Sequence, residues 1–145
     1  MSIESNKDFA RRWFATDLKK FQEMVEGKKL DEWFAPGFVF HSAAGDFDMK
    51  AYLPYMANYF TPFPDFKFEV QDLISENDKV VARYTTRGTH TAAYRGIPAS
   101  GKKININCMM ILRLSGGKLA EAWSMVDALG MMQQIGAIPT PPAKQ

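Results

Sequence analysis

Three side chains in this sequence have the chemistry of proton transfer at places where a fold can use it: Asp127, His41 and His90. Asp127 closes an alternating run in which Leu119, Glu121, Trp123 and Met125 share its phase, provided no bulge intervenes. A carboxylate in line with Trp and Met is poorly hydrated. Desolvation disfavours its charged form, and a base raised toward working pH is suited to taking a proton from carbon. Asp127 also stands directly before Ala128-Leu129-Gly130, where Asp is a preferred helix N-cap, and the sequence leaves base and cap both open. His41 ends an apolar run and His90 begins a long loop. Imidazole relays protons near neutral pH or donates to a carbonyl oxygen gaining charge, although a lone histidine is commonly structural.

A second set could hold a guest. Trp13, Tyr52, Tyr59, Tyr94, Met109, Trp123 and Met125 can line a cavity for a flat, partly aromatic ligand, and each can equally be core packing. Asn107 and its neighbour in phase, Asn105, sit in a strand pattern, where Asn is a poor strand former and is costly to bury unpaired; one of them can present an amide to a ligand carbonyl. Arg83, Arg87 and Arg113 share a phase on neighbouring strands, forming a polar entrance if that face is concave. Glu121 reads as a group at the pocket mouth or a surface ion-pair partner. Cys108, followed by Met109, Met110 and Ile111, reads as a buried thiol with no activating base in sequence.

Two histidines without a short-spaced partner make no metal site, and Asp46 or Asp48 can join His41 only through folding. The stretch Gly96-Ile-Pro-Ala-Ser-Gly101 lacks the Gly-rich turn with Lys and Ser/Thr that cradles phosphate, and no dinucleotide fingerprint occurs. No cofactor is expected.

Periodicity defines the elements that must position these residues. From Ser5 to Glu26 apolar residues recur near helical spacing, Ser5 suits the start and Gly27 the end, and the pattern predicts one helix. A short helical piece over 28–33 and a strand over 38–41 come next. Asp48 caps a helix containing Tyr52, Leu53, Met56 and Tyr59, with Pro54 either kinking it or delaying its start. Beyond Pro62-Phe63-Pro64-Asp65 the period changes to two. Strands from Phe66 and Val80 flank the turn Glu76-Asn77-Asp78-Lys79, a long connection spans 89–101, and two further strands flank Ser115-Gly116-Gly117. Helices first and an antiparallel sheet after them make an α+β domain over 1–138, with 139–145 as an unpacked tail. The strand from Lys103 to Leu114 is apolar on both faces. One face should meet helices and the other a pocket or a second copy, so a homodimer through the sheet is expected.

Composition agrees. A chain of 145 residues with 46% apolar and 23% charged residues has the make-up of a soluble globular domain and can bury about 70% of its extended surface. Its 18 basic and 16 acidic residues, net +2, are interspersed, unlike the basic stripe of a nucleic-acid binder. No stretch approaches the ~20 apolar residues of a membrane span, so a cytoplasmic protein is the default.

Several stretches resemble a known family. They are Ala35-Pro36-Gly37-Phe38-Val39-Phe40-His41, Phe63-Pro64-Asp65-Phe66, Gly88-Thr89-His90-Thr91, Gly96-Ile97-Pro98-Ala99-Ser100-Gly101-Lys102, and Gly117 through Asp127 into Leu129-Gly130-Met131-Met132-Gln133-Gln134-Ile135-Gly136. In order and spacing the chain resembles the SnoaL-like polyketide cyclases of the nuclear transport factor 2-like superfamily. The resemblance implies a cone-shaped, curved antiparallel or mixed sheet packed against N-terminal helices. It also implies cofactor-free aldol or enolisation chemistry on a small apolar carbonyl compound, with Asp127 as the acid/base. The helper histidine of that family lies on the strand before the last hairpin, where this chain has Asn107, Met109, Ile111 and Arg113; either His90 or His41 replaces it, or the substrate is a different one. The same cone houses isomerases, dehydratases (lyases), epoxide hydrolases and non-catalytic ligand binders, so these remain alternatives, as does a purely structural role. An epoxide hydrolase would need a second polar group to orient water, and Asn107 is the one on offer.

Overall fold

A polar break, not a continuous amphipathic run, governs the N-terminal helices. In the computed structural model, which describes residues 2–142, α1 runs Ile3–Phe14 and α2 Leu18–Glu26. The single helix predicted over this region is therefore two. Asp17 accepts from the Lys20 amide at 2.8 Å and starts a new helix, a local capping bond that outcompetes continuation of the first. The cap of α1 is Ser2, whose Oγ accepts from the Ser5 amide at 3.0 Å, and not Ser5 itself. The short α3 (Leu30–Trp33) leads into β1 (Phe34–Ser42), which is longer than predicted, and the next turn opens into an additional strand, β2 (Gly45–Asp48). Asp48 caps α4 (Met49–Phe60), accepting from the Ala51 amide at 2.9 Å. The helix runs through Pro54, leaving the carbonyl of the exposed Lys50 without its intrahelical partner.

The remaining strands are β3 (Lys67–Glu76), β4 (Lys79–Thr89), β5 (Lys103–Ser115) and β6 (Lys118–Val126), followed by α5 (Ala128–Gln134). They form one curved sheet in the order β2-β1-β6-β5-β4-β3, antiparallel throughout except for the parallel pair β1–β6. This is the α+β architecture expected, with a mixed sheet. The segment 139–142 carries no regular element, and the last three residues of the expected tail lie outside the described residues.

Strand alternation sorts the side chains into two faces. On β5 the inward set Ile104, Ile106, Cys108, Met110, Leu112 and Leu114 is buried. It packs with Phe9, Phe14 and Met24 of the helices and with Phe34, Phe38 and Phe40 of β1 in one core. The outward set includes Met109 and Ile111, exposed together with Met125 and Ile74.

β6 departs from simple alternation. Its pairing with β5 shifts between Arg113 and Leu114, so that Arg113 faces Glu121 while Leu114 faces Leu119. The bulge buries both Leu119 and Ala120 and reverses the phase of the rest of the strand. Ala122 and Ser124 then point inward, and Glu121, Trp123 and Met125 point outward.

Candidate functional site

The inward face of the sheet carries hydroxyls where it meets α4. Register pairs Tyr84 with Cys108, Thr86 with Ile106 and Met110 with Ser124, so neighbouring strands bring Tyr84, Thr86, Cys108 and Ser124 into one neighbourhood. Tyr55, Met56 and Tyr59 of α4 lie over them, and Phe40, Phe68 and Val126 complete the wall of a narrow cavity of about 40 Å³. That is room for little more than a water or a single functional group.

The polar atoms here are neutral donors. Burial pushes the Tyr59 and Tyr84 phenols well above their ordinary range, and it raises the Cys108 thiol. The Thr86 Oγ1 lies 3.5 Å from the Cys108 Sγ. Among the described residues the buried Tyr59 hydroxyl makes no hydrogen bond of good geometry, although Thr86 stands close enough to oppose slightly the rise that burial causes. A phenol left so is disfavoured by its lost hydration and is ready to donate to a guest.

A wider cleft of about 260 Å³ lies outside, lined by Tyr55, Asn58, Tyr59, Ala93, Tyr94 and Arg95. Tyr55 and Tyr59 belong to both walls. The outer cleft is held by the 89–101 connection, which is anchored at three points. Thr91 donates its amide to the Pro62 carbonyl at 2.9 Å. The carboxylate of Asp65 accepts from the Thr89 amide and hydroxyl, each at 2.7 Å. His90, fully buried, accepts at Nδ1 from the Ser100 amide at 3.1 Å, with the Ser100 hydroxyl 2.9 Å away, so its ring proton sits on Nε2. The His90 ring stacks on Phe63 with centroids 5.4 Å apart and is absent from the cavity wall; it holds the loop.

Asp127 is placed differently from the desolvated base expected of strand parity. β6 ends at Val126, and Asp127 has left the strand conformation, with φ −77° and ψ 77°. The residue is exposed. Its Oδ1 accepts from the Gly130 amide at 2.9 Å, making it the N-cap of α5, while Oδ2 accepts no hydrogen bond among the described residues. Its amide donates to the Asn107 carbonyl at 3.2 Å. Val126, one residue earlier, lines the inner cavity, while Asp127 itself is not part of its wall.

The other histidine lies on the opposite face. His41 stacks on Trp123, with centroids 5.2 Å apart and planes 18° apart. Its Nδ1 is 2.7 Å from Asp46 Oδ1 and its Nε2 2.6 Å from Glu121 Oε2. Arg113 Nε donates to Glu121 Oε1 at 3.1 Å. Hydrogen bonds to Glu121 and Asp46 raise the His41 pKa above its ordinary value, and the bond to His41 lowers that of Glu121.

Of the predicted ligand-binding residues, the structure brings Tyr59 into the inner cavity, and Tyr94 into the outer cleft. Met109, Asn107 and Arg113 of β5 and Trp123 and Met125 of β6 face outward, because the β6 bulge and the β5 phase both aim them away from the helices. Trp13 packs among Trp33 and Phe34. Tyr52 is core, in contact with Phe34, Phe38 and Phe40. Tyr55, Tyr84, Thr86 and Ser124 were not singled out by sequence. Their signal is a polar side chain at an inward phase, most visible at Ser124 between Ala122 and Val126. Among the described residues no three His, Cys, Asp or Glu side chains gather as a metal site, and no helix is long and apolar enough to cross a membrane.

The sequence profile of the SnoaL-like polyketide cyclases matches residues 10–135. The chain belongs to this family. Solved structures agree in fold. A protein of Jannaschia sp. CCS1 assigned as a SnoaL-like polyketide cyclase is 22% identical, with 96% of this chain and 97% of that one aligned at a TM-score of 0.80. AclR of Streptomyces galilaeus, assigned as a hydroxylase, is 22% identical over 97% of this chain and 87% of its own, also at 0.80. IdmH of Streptomyces antibioticus, assigned as a polyketide cyclase, is 25% identical over 90% and 98%, at 0.74. No curated protein matches the chain. Family membership thus fixes the cone-shaped α+β fold and points to a small-molecule guest, while relatives of one shape are assigned to different reactions.

Proposed function

We propose that the protein binds a small, mainly apolar carbonyl compound between α4 and strands β4–β6 and acts on it by cofactor-free acid/base chemistry. The observation that carries this reading is a cavity walled by Tyr55, Tyr59, Tyr84, Thr86 and Ser124 beside apolar residues, with the buried Tyr59 hydroxyl unpartnered among the described residues and Val126, next to Asp127, in the same wall. The guest carbonyl takes hydrogen bonds from the interior hydroxyls. Asp127 Oδ2 accepts a proton from the adjacent carbon as the C–H electron pair passes to the carbonyl oxygen, and the enolate is stabilised by those donors. Return of the proton at another atom gives isomerisation, attack on a second carbonyl gives an aldol product, and loss of a β-hydroxyl gives a lyase reaction. The guest itself supplies the desolvation, covering a carboxylate that is exposed when the site is empty.

Exposure of Asp127 and its use as a cap favour one alternative, a carrier that binds the same guest without chemistry. Deuterium uptake at the activated carbon of 1-phenylbutane-1,3-dione separates the two. Catalysed uptake that Asp127→Asn removes supports the base. Catalysed uptake unchanged by that substitution removes Asp127 as the base, and uptake at the uncatalysed rate with binding intact leaves the carrier. Water addition with Asn107 as the orienting group loses its support, since Asn107 is on the outer face.

The outer face fits self-association. Met109 pairs across the strands with Met125 and Ile111 with Trp123, forming an apolar strip in which Met109, Ile111 and Met125 are exposed among the described residues. We propose that two copies meet there.

A further inference from the structure

The inner cavity is too small for a whole guest, and that decides where the rest of it lies. About 40 Å³ admits a carbonyl group, while the 260 Å³ cleft shares Tyr55 and Tyr59 with it. The rings of Tyr55 and Tyr59 border both spaces, and a molecule whose carbonyl enters the inner one has the outer cleft, with Asn58 and Arg95, on the other side of the same two rings.

Arg95 is held there at a conformational cost. Tyr94 and Ile97 exchange both backbone hydrogen bonds, at 2.9 and 2.8 Å, closing a two-residue turn with Arg95 at φ 47° and Gly96 at φ 79°. Such a turn prefers Asn, Asp or Gly at its first central position, and a long side chain at positive φ is uncommon. The Arg95 guanidinium lies 5.4 Å from the Tyr94 ring centroid, a stacking that leaves its N–H edges free. Arg11, Arg83, Arg87 and Arg113 each pair with a carboxylate. Among the described residues Arg95 has no such partner, and no acidic side chain lines the cleft.

Resting on the binding reading above, we infer that the guest is an aromatic keto acid: its ketone enters the hydroxyl-lined cavity and its carboxylate is held at the rim by Arg95, with the Asn58 amide beside it. The planar fork of a guanidinium suits a carboxylate in two-point contact, and an ester of the same skeleton loses that contact while keeping the rest.

The test compares 4-oxo-4-phenylbutanoate with its methyl ester by isothermal titration against the native protein and Arg95→Asn, a substitution that suits the turn. The native protein should bind the acid about tenfold more tightly than the ester, the scale of a charge-assisted hydrogen bond. Arg95→Asn should bring the acid to the level of the ester and leave ester affinity unchanged. Equal binding of acid and ester by the native protein, or a preference that survives Arg95→Asn, overturns this inference alone. Failure of both compounds to bind overturns the binding reading with it.

Discussion

His41 and Glu121 face each other from β1 and β6, Nε2 to Oε2 at 2.6 Å, across the one parallel pair in the sheet. The contact ties β1 to the strand that ends at Val126, just before Asp127. Because Asp46 takes the other ring nitrogen, both nitrogens face carboxylates and the imidazolium is the favoured form. His41 is thus an outward clamp, and it lines neither the inner cavity nor the outer cleft.

That clamp makes stability depend on pH in two directions. His41 is raised from 6.5, so its contribution is complete below that value and is lost as pH rises through the raised one. Glu121 is lowered from 4.5, so its contribution is complete above that value and is lost as pH falls through the depressed one. These are two views of one interaction, greatest between pH 4.5 and 6.5. Melting curves of the native protein should show Tm declining on the alkaline side of this window. His41→Gln should lack that part of the decline, and an NMR titration should place the His41 midpoint above that of a free imidazole.

Tyr59→Phe should separate stability from binding. Removing a buried hydroxyl without a partner should leave the unliganded protein as stable or up to about 1–3 kcal/mol more stable. The same change should weaken binding of an aromatic ketone, and urea denaturation beside titration of that ketone checks both.

Gly88 marks a close approach behind the loop anchor. A Cβ there would lie 3.1 Å from the Phe63 Cβ and 3.5 Å from the Phe66 Cα, atoms fixed near or on the main chain. Gly88→Ala should destabilise by about 1–3 kcal/mol through overpacking, readable in the urea midpoint, and should loosen the Pro62–Asp65 turn that supports the cleft.

Association through the outer face has its own variant. Placing a charge on each copy of the strip by Met125→Glu should give monomers in sedimentation velocity at concentrations where the native protein is dimeric. A native protein that is monomeric throughout removes the proposed interface.

Local chemistry was legible in the sequence where the deciding neighbours were close along the chain. Asp48 and Asp127 stand as caps because Asp precedes each helix, and the β5 alternation reads directly as inward and outward sets. What escaped depended on distant or irregular backbone. The parallel pairing of β1 with β6 joins residues 80 positions apart at His41 and Glu121. The bulge near Leu119–Glu121 inverts the phase of Trp123 and Met125, and so moves the predicted ligand-binding residues of β6 to the outside. Ser124, which takes their place, reads as inward only once the bulge that reverses the strand's phase is known.

The proposed chemistry requires that the space between α4 and the inward face of β4–β6 receives the guest. Amide and side-chain NMR shifts during titration with 1-phenylbutane-1,3-dione test this most directly. Binding there should give perturbations centred on Tyr59, Tyr84, Thr86 and Ser124, spreading to Asp127. Shifts confined to the outer strip at Met109, Ile111 and Met125, with the interior residues unmoved, would contradict it.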